Sequence, residues 1–159
     1  MPSFRDSASF GKRMEHYLIG LMLKEGLDCY MPLVDDFGID LVIRKQNGKF
    51  IEVQIKARSK TVAEGDAALF AAMTHDKRKN YYFVFYSERL DTIFIMSSEE
   101  YLLECTTNKT GKNAGKRSIW FNGHRTNKET GIKEEYVYPR FEKYVANDFS
   151  RFKKDNSQK

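Results

Sequence analysis

Residues Gly38 to Arg58, GIDLVIRKQNGKFIEVQIKAR, decide how the rest of the chain is organised. Ile39, Leu41 and Ile43 alternate with Asp40, Val42 and Arg44, and Ile51, Val53 and Ile55 alternate with Glu52, Gln54 and Lys56. Period-two alternation on both sides of Gln46-Asn47-Gly48 reads as two strands joined by a tight turn. A two-residue loop at Asn47-Gly48 would oppose Asp40 to Ile55 and Leu41 to Gln54, mixing polar and apolar groups on both faces. A three-residue loop, Gln46 to Gly48 with Gly48 left-handed, pairs Lys45 with Lys49. It opposes Ile39 to Ile55, Leu41 to Val53 and Ile43 to Ile51. A one-residue slip turns every side chain over, so burial of one face selects the second register. Asp40 then sits opposite Gln54 with Lys56 on the diagonal, and directly opposed Cβ atoms lie roughly 5 Å apart. An acid, an amide oxygen and an ammonium share one small site. Alternation by itself equally describes an ordinary strand pair with a wet face. Asp40, an acid at the start of a strongly apolar strand, is what separates the two.

This pattern resembles that of the PD-(D/E)XK nuclease superfamily: an acid on one strand, then an acid, any residue and a lysine on the next. Asp40 matches the first acid and Gln54-Ile55-Lys56 the second element. The Gln form is similar to that of Mrr-like restriction endonucleases, in a setting similar to Holliday-junction resolvases. Ile39 stands where the pattern has proline, and Gln54 where it has the second acid. Glu52, two residues earlier on the same face, is a candidate for the missing charge. The resemblance spans about residues 9–105 as an order of elements. It implies an α/β restriction-endonuclease-like core, a mixed central sheet flanked by helices, and hydrolysis of phosphodiester bonds with Mg²⁺ or Mn²⁺. Asp40, the side-chain oxygen of Gln54 and the backbone carbonyl of Ile55 are the implied metal ligands. Lys56 is implied to orient or deprotonate the nucleophile, or to stabilise the transition state. Many members carry a Glu on the first helix that faces the metal, and Glu15 is the matching position. Paired with Lys12 or Arg13, the same residue is an ordinary peripheral acid.

Charge is unevenly spread. Residues 1–105 hold 14 Lys/Arg against 16 Asp/Glu, whereas residues 106–159 hold 13 against 6. A basic C-terminal part on a nearly neutral core favours a polyanionic partner, DNA and most readily duplex DNA; a solvated basic surface is the alternative. At 159 residues the chain suits one domain, a core of about 9–105 extended by a basic loop, hairpin and helix over 106–159. No apolar run approaches the roughly 20 residues of a membrane span. The polar N-terminus does not read as a signal peptide, so a cytoplasmic protein without membrane contact is expected. Cys29 and Cys105 read as reduced core thiols.

Along the chain, Ser9 caps a predicted helix over 10–24 that carries Phe10, Met14, Tyr17, Leu18, Leu21 and Met22 on one stripe. A strand over 27–34 follows, with Pro32 at an edge. After the central hairpin, Arg58 and Lys60 flank the site. Asp66 caps an Ala-rich helix predicted over 67–74. His75 is either a helix cap or a general base, and Lys77-Arg78-Lys79 either touches phosphate or is a solvated loop. YYFVFY, residues 81–86, is a strand buried on both faces. Residues 91–96 form another, and Ser98 starts a helix through 104. Lys109, Lys112, Lys116 and Arg117 lie in a Gly/Asn-rich loop, 106–118, expected to be mobile until bound. Residues 119–121 and 135–138 form a hairpin around a turn holding His124, Arg125 and Lys128. It either enters a groove or carries a dimer contact. Pro139 opens a last helix with Phe141, Tyr144, Val145, Phe149 and Phe152 on its inner stripe.

The function expected is a metal-dependent DNA endonuclease of restriction-like, junction-resolving or homing type. Double-strand cleavage would require a homodimer or larger oligomer. A catalytically inactive nucleic-acid-binding module on the same fold, and a protein-interaction domain, are the competing readings.

Overall fold

The computed structural model describes residues 4–154. Its centre is a six-stranded mixed sheet built from β1 (Asp28–Tyr30), β2 (Leu41–Arg44), β3 (Phe50–Arg58), β5 (Tyr81–Ser87), β6 (Thr92–Ser97) and β11 (Val145–Ala146), in that spatial order. β3 and β5 run parallel; every other neighbouring pair is antiparallel. From Leu41 to Lys49 the central hairpin takes the register expected from its loop, but the expected opposition of Ile39 to Ile55 and of Asp40 to Gln54 does not follow: pairing ends at Leu41, and Ile39 packs on the core opposite to that of Ile55. Leu41 faces Val53 and Ile43 faces Ile51, Lys45 N–H donates to the Lys49 carbonyl, and Gly48 has φ +80°. Only a left-handed residue closes this turn, which glycine accepts without strain.

Helix α1 (Ser7–Lys24) covers one face. Asp6, rather than Ser9, is its N-cap, accepting from the N–H groups of Ala8 and Ser9. Leu18, Ile19 and Met22 pack on Leu41, Ile43, Ile51, Val53 and Ile55. Tyr17, expected on that stripe, is exposed. The other face is covered by helix α2 (Ser98–Glu104), a second sheet of β4 (Leu69–Met73), β8 (Arg117–Trp120) and β7 (Thr106–Thr107), and the 3-10 turn Pro139–Tyr144. Here Phe83 and Phe85 of β5 meet Phe70, Phe121, Phe141 and Tyr101, with Phe94 and Phe121 stacked at 4.0 Å between ring centroids. Each fully buried aromatic of this kind contributes roughly 2–3 kcal/mol. β5 is buried on both faces, as its run of aromatics predicts.

Several expectations are corrected. Residues 67–74 are not a helix: Ala67 and Ala68 are buried, β4 pairs with β8, and a bulge lies between Phe70 and Met73, where Ala72 takes φ +58°. The first strand is confined to Asp28–Tyr30. α2 does begin at Ser98 and run to Glu104, as expected, with Ser97 as its N-cap in a reciprocal capping box with Glu100. The C-terminal hairpin pairs β9 (Asn122–Thr126) with β10 (Lys133–Val137), so His124 and Arg125 stand on a strand and not in the turn. Residues 119–121 instead close the second sheet and its core. Beyond Pro139, six residues of 3-10 turn give way to β11 and a second 3-10 turn, Ser150–Phe152, which still bury Phe141, Tyr144, Phe149 and Phe152. Within the basic loop, Asn108 N–H donates to Lys116 O at 2.8 Å and Gly115 N–H to Asn108 O at 2.8 Å. Both cysteines are free, and among the described residues no helix is long and apolar enough to cross a membrane.

Candidate active site

Strand alternation explains where Asp40 goes. The Asp40 N–H donates to the Val53 carbonyl at 2.9 Å, so the backbone groups of Val53, and by parity those of Ile55, face β2. β2 begins only at Leu41. The Ile55 N–H therefore has no ladder partner there and donates to Asp40 Oδ2 at 2.7 Å. By the same parity the Ile55 carbonyl turns to that edge, and among the described residues Asp40 Oδ1 accepts no hydrogen bond. Gln54 and Lys56 share the opposite face of β3 from Ile55 and are half-buried. With Arg58 they line a cleft of about 420 Å³ that opens toward β4, where Leu69 to Thr74 form the far wall. Asp40, just before β2, meets β3 through the Ile55 N–H and lies within the electrostatic field of Lys56.

The electrostatics of this corner are unbalanced. Burial, followed by the charges of Glu15 and Asp35, pushes the Asp40 carboxyl up to about 6, against the opposing pull of the Ile55 N–H and of Lys56. Glu15 sits on α1 with its own carboxylate ion-paired to Lys12 at 2.8 Å, so it is a peripheral acid and a contributor to the field at Asp40 at once. Asp35 caps the turn by accepting the Ile39 N–H at 2.8 Å. A dehydrated carboxylate in the field of two other acids is a place where a cation is favoured. All the nearby donors are oxygens, the chemistry that Mg²⁺ and Mn²⁺ accept. Among the described residues no three His, Cys, Asp or Glu side chains converge as a ready metal cluster. The donor set fits a divalent ion only if the Gln54 oxygen, the Ile55 carbonyl and substrate phosphate complete it.

Glu52 does not enter this group. Arg78 holds it at 2.5 Å, donates at 2.7 Å to the Phe37 carbonyl and lies 4.3 Å over the Tyr81 ring. Arg117 is committed in the same way, to the His75 carbonyl, Cys105 and Thr107. Lys77 pairs with Glu99 and Arg125 with Glu134 on the surface, and Arg58 touches Asp66. Lys116 reaches Asn113 within its own loop. Lys60, Lys79, Lys109 and Lys112 are exposed.

Sequence reasoning missed Tyr81 and Gly38. The Tyr81 hydroxyl lies 2.6 Å from the Gly38 carbonyl and 3.0 Å from Gln54 Oε1. A Cβ on Gly38 would stand 2.9 Å from Gln54 Nε2. The signal was present as an unexplained Gly two residues before the acid and a Tyr opening the buried strand.

His75 is no base for this site. It is buried, hydrogen-bonded through Nε2 to Ser98 Oγ at 2.7 Å and packed among Tyr81, Phe83 and Tyr101. Burial, with Arg78 adding to it, brings its pKa down to about 4. The folded value lies below the ordinary 6.5, so its stabilising effect is complete above pH 6.5 and is lost as pH falls toward 4, about 3 kcal/mol in all. Urea midpoints of Asp40→Asn at pH 7 and 4.5 should reveal this loss without the opposing titration of Asp40, and adding His75→Gln should flatten it.

Residues 7–92, more than half of the chain, match the profile of a restriction endonuclease family, the Mrr catalytic domain. No curated protein matches the sequence. Among solved structures, a bacterial homing endonuclease shares the fold with a TM-score of 0.53 and 19% identity over 85% of each chain. The element order around the central hairpin and the match over residues 7–92 agree: the chain belongs to the restriction endonuclease family of the Mrr catalytic domain, and is a nuclease.

Proposed function

We propose that the protein is a divalent-metal-dependent endonuclease acting on duplex DNA, with Asp40, Gln54 and Lys56 at its centre. The observation that carries this reading is the Asp40 carboxylate, held by the Ile55 N–H just beyond the end of β2 and within the field of Lys56, which with Gln54 lines a cleft on β3. Asp40 Oδ1, Gln54 Oε1 and the Ile55 carbonyl would hold Mg²⁺ or Mn²⁺. Bound there, the ion supplies an acidified water and shields phosphate charge. The chain's own contribution is positional and electrostatic. Asp40 is fixed by a backbone donor rather than by a mobile side chain. Lys56 has no ion-pair partner among the described residues, which leaves its ammonium to meet the developing charge on phosphate or to hold the attacking water. Arg58, Lys60, Lys79, Lys109 and Lys112 would meet the phosphate backbone. Arg78 and Arg117, spent inside the fold, would act indirectly. One centre cuts one strand, so double-strand cleavage implies a homodimer or larger assembly.

The test is cleavage of supercoiled plasmid, linear duplex, single-stranded and branched DNA with Mg²⁺, Mn²⁺ or EDTA. Cleavage with either ion and none in EDTA is expected. Equal cleavage in EDTA contradicts the metal requirement. Binding that weakens steeply with salt, without cleavage of any substrate, supports the inactive binding module, which the missing third acid favours.

A further inference from the structure

We infer that Tyr81 is a positioning residue that fixes the Gln54 carboxamide against the turn carrying Asp40. The inference rests on Gln54 being a ligand, as proposed above. A carboxamide is a weak and rotatable substitute for a carboxylate. Its oxygen and nitrogen occupy nearly the same space, and only the oxygen serves a hard cation. Something must hold the group in one orientation. The Tyr81 hydroxyl is placed to do so: its single proton is shared between the Gly38 carbonyl at 2.6 Å, the stronger arm, and Gln54 Oε1 at 3.0 Å. Gly38 lies two residues before Asp40, so the one hydroxyl ties the Gln54 amide to the turn that carries Asp40.

The ring that carries this hydroxyl cannot move. Tyr81 is buried, stacked on His75 with centroids 5.2 Å apart, in contact with Phe83, and roofed by the Arg78 guanidinium at 4.3 Å. Arg78 is itself anchored by Glu52 and by the carbonyl of Phe37, the residue before Gly38. His75 is anchored by Ser98. Gly38 completes the arrangement by omission: at φ +67° a side chain is strained, and its Cβ would approach Gln54 Nε2 to 2.9 Å and the Tyr81 hydroxyl to 3.4 Å. A tyrosine here therefore does for Gln54 what partners beyond the first ligand shell commonly do for metal ligands.

The experiment is a titration of Mn²⁺ alone into the full-length protein, followed by electron paramagnetic resonance, for wild type, Tyr81→Phe, Gln54→Ala and the double variant. Thermal unfolding of the metal-free proteins runs alongside. Tyr81→Phe is expected to weaken Mn²⁺ binding roughly tenfold. The same change in the Gln54→Ala background is expected to have no further effect, because the group it positions is gone. An equal loss in both backgrounds would mean that Tyr81 acts through the fold or through the Asp40 turn, and overturns the inference while leaving Gln54 a ligand. An unaltered affinity in Tyr81→Phe also overturns it. No Mn²⁺ binding by the wild type, or binding unchanged in Gln54→Ala, overturns the ligand reading and the inference with it.

Discussion

Asp40→Asn is expected to cut cleavage sharply and, at the same time, to make the metal-free protein more stable above pH 6. The asparagine keeps an oxygen for the Ile55 N–H and removes a charge that the fold disfavours. The folded carboxyl titrates at about 6 against an ordinary 3.8. For an acid raised in this way, the native state binds the proton more tightly than the unfolded state does. The penalty is absent below pH 4, grows between 4 and 6, and is complete above, up to about 3 kcal/mol. The variant's advantage in urea or thermal unfolding should follow that window. Mn²⁺ should raise the melting temperature of the wild type and leave that of the variant unchanged, since a ligand stabilises only the state that binds it. Cleavage should fall by about 100-fold or more, the scale on which one charge-stabilising group contributes to a transition state. A variant that is less stable at pH 8, or that still cuts, removes Asp40 from the centre.

Lys56→Ala is the second large effect, and it separates chemistry from architecture. Lys56 is half-buried in the cleft wall and makes no hydrogen bond or ion pair among the described residues. Its loss should change stability by no more than about 0.5 kcal/mol. Cleavage should drop by about 10²–10³-fold while binding to DNA at moderate salt is largely kept. Lys56→Arg, which keeps the charge but widens and flattens it, should recover only part of the rate. If Lys56→Ala binds poorly and cuts normally once saturated, the lysine serves affinity alone.

The parts of this fold that were legible in the sequence are those where one constraint dominates. A three-residue loop with one left-handed glycine leaves β2 and β3 a single register that buries Leu41, Ile43, Ile51 and Val53 together. An uninterrupted aromatic run has no wet face, and β5 has none. The errors lie where local preference and packing disagree. Alanine favours helix by intrinsic propensity, yet Ala67 and Ala68 are fully buried beside Phe121 and Asn122, whose carboxamide accepts the Ala68 N–H at 2.8 Å. Small side chains there permit close approach of β4 to β8, and that contact overrides propensity. Phe141, Tyr144, Phe149 and Phe152 keep a helical spacing through two short 3-10 turns and a strand, because burial asks only that each ring point inward. Charge misled in its own way. Glu52 and Arg78 look like free groups beside a site and are spent on each other.

Asp40, Gln54 and Lys56 were singled out from spacing, whereas Tyr81 and Gly38 were not. Gln54 and Lys56 are polar residues on a strand whose other face is apolar, Asp40 directly precedes another, and alternation draws attention to all three. The hydroxyl of Tyr81 was hidden because its ring belongs to the core of β5, and a core aromatic carries no sign of what its polar end touches.

The most direct measurement is anomalous diffraction from a crystal of the protein soaked in Mn²⁺. A peak within coordination distance of Asp40 Oδ1, Gln54 Oε1 and the Ile55 carbonyl, lost in Asp40→Asn, is the expected result. Mn²⁺ bound elsewhere while Asp40 and Gln54 stay bare would contradict it.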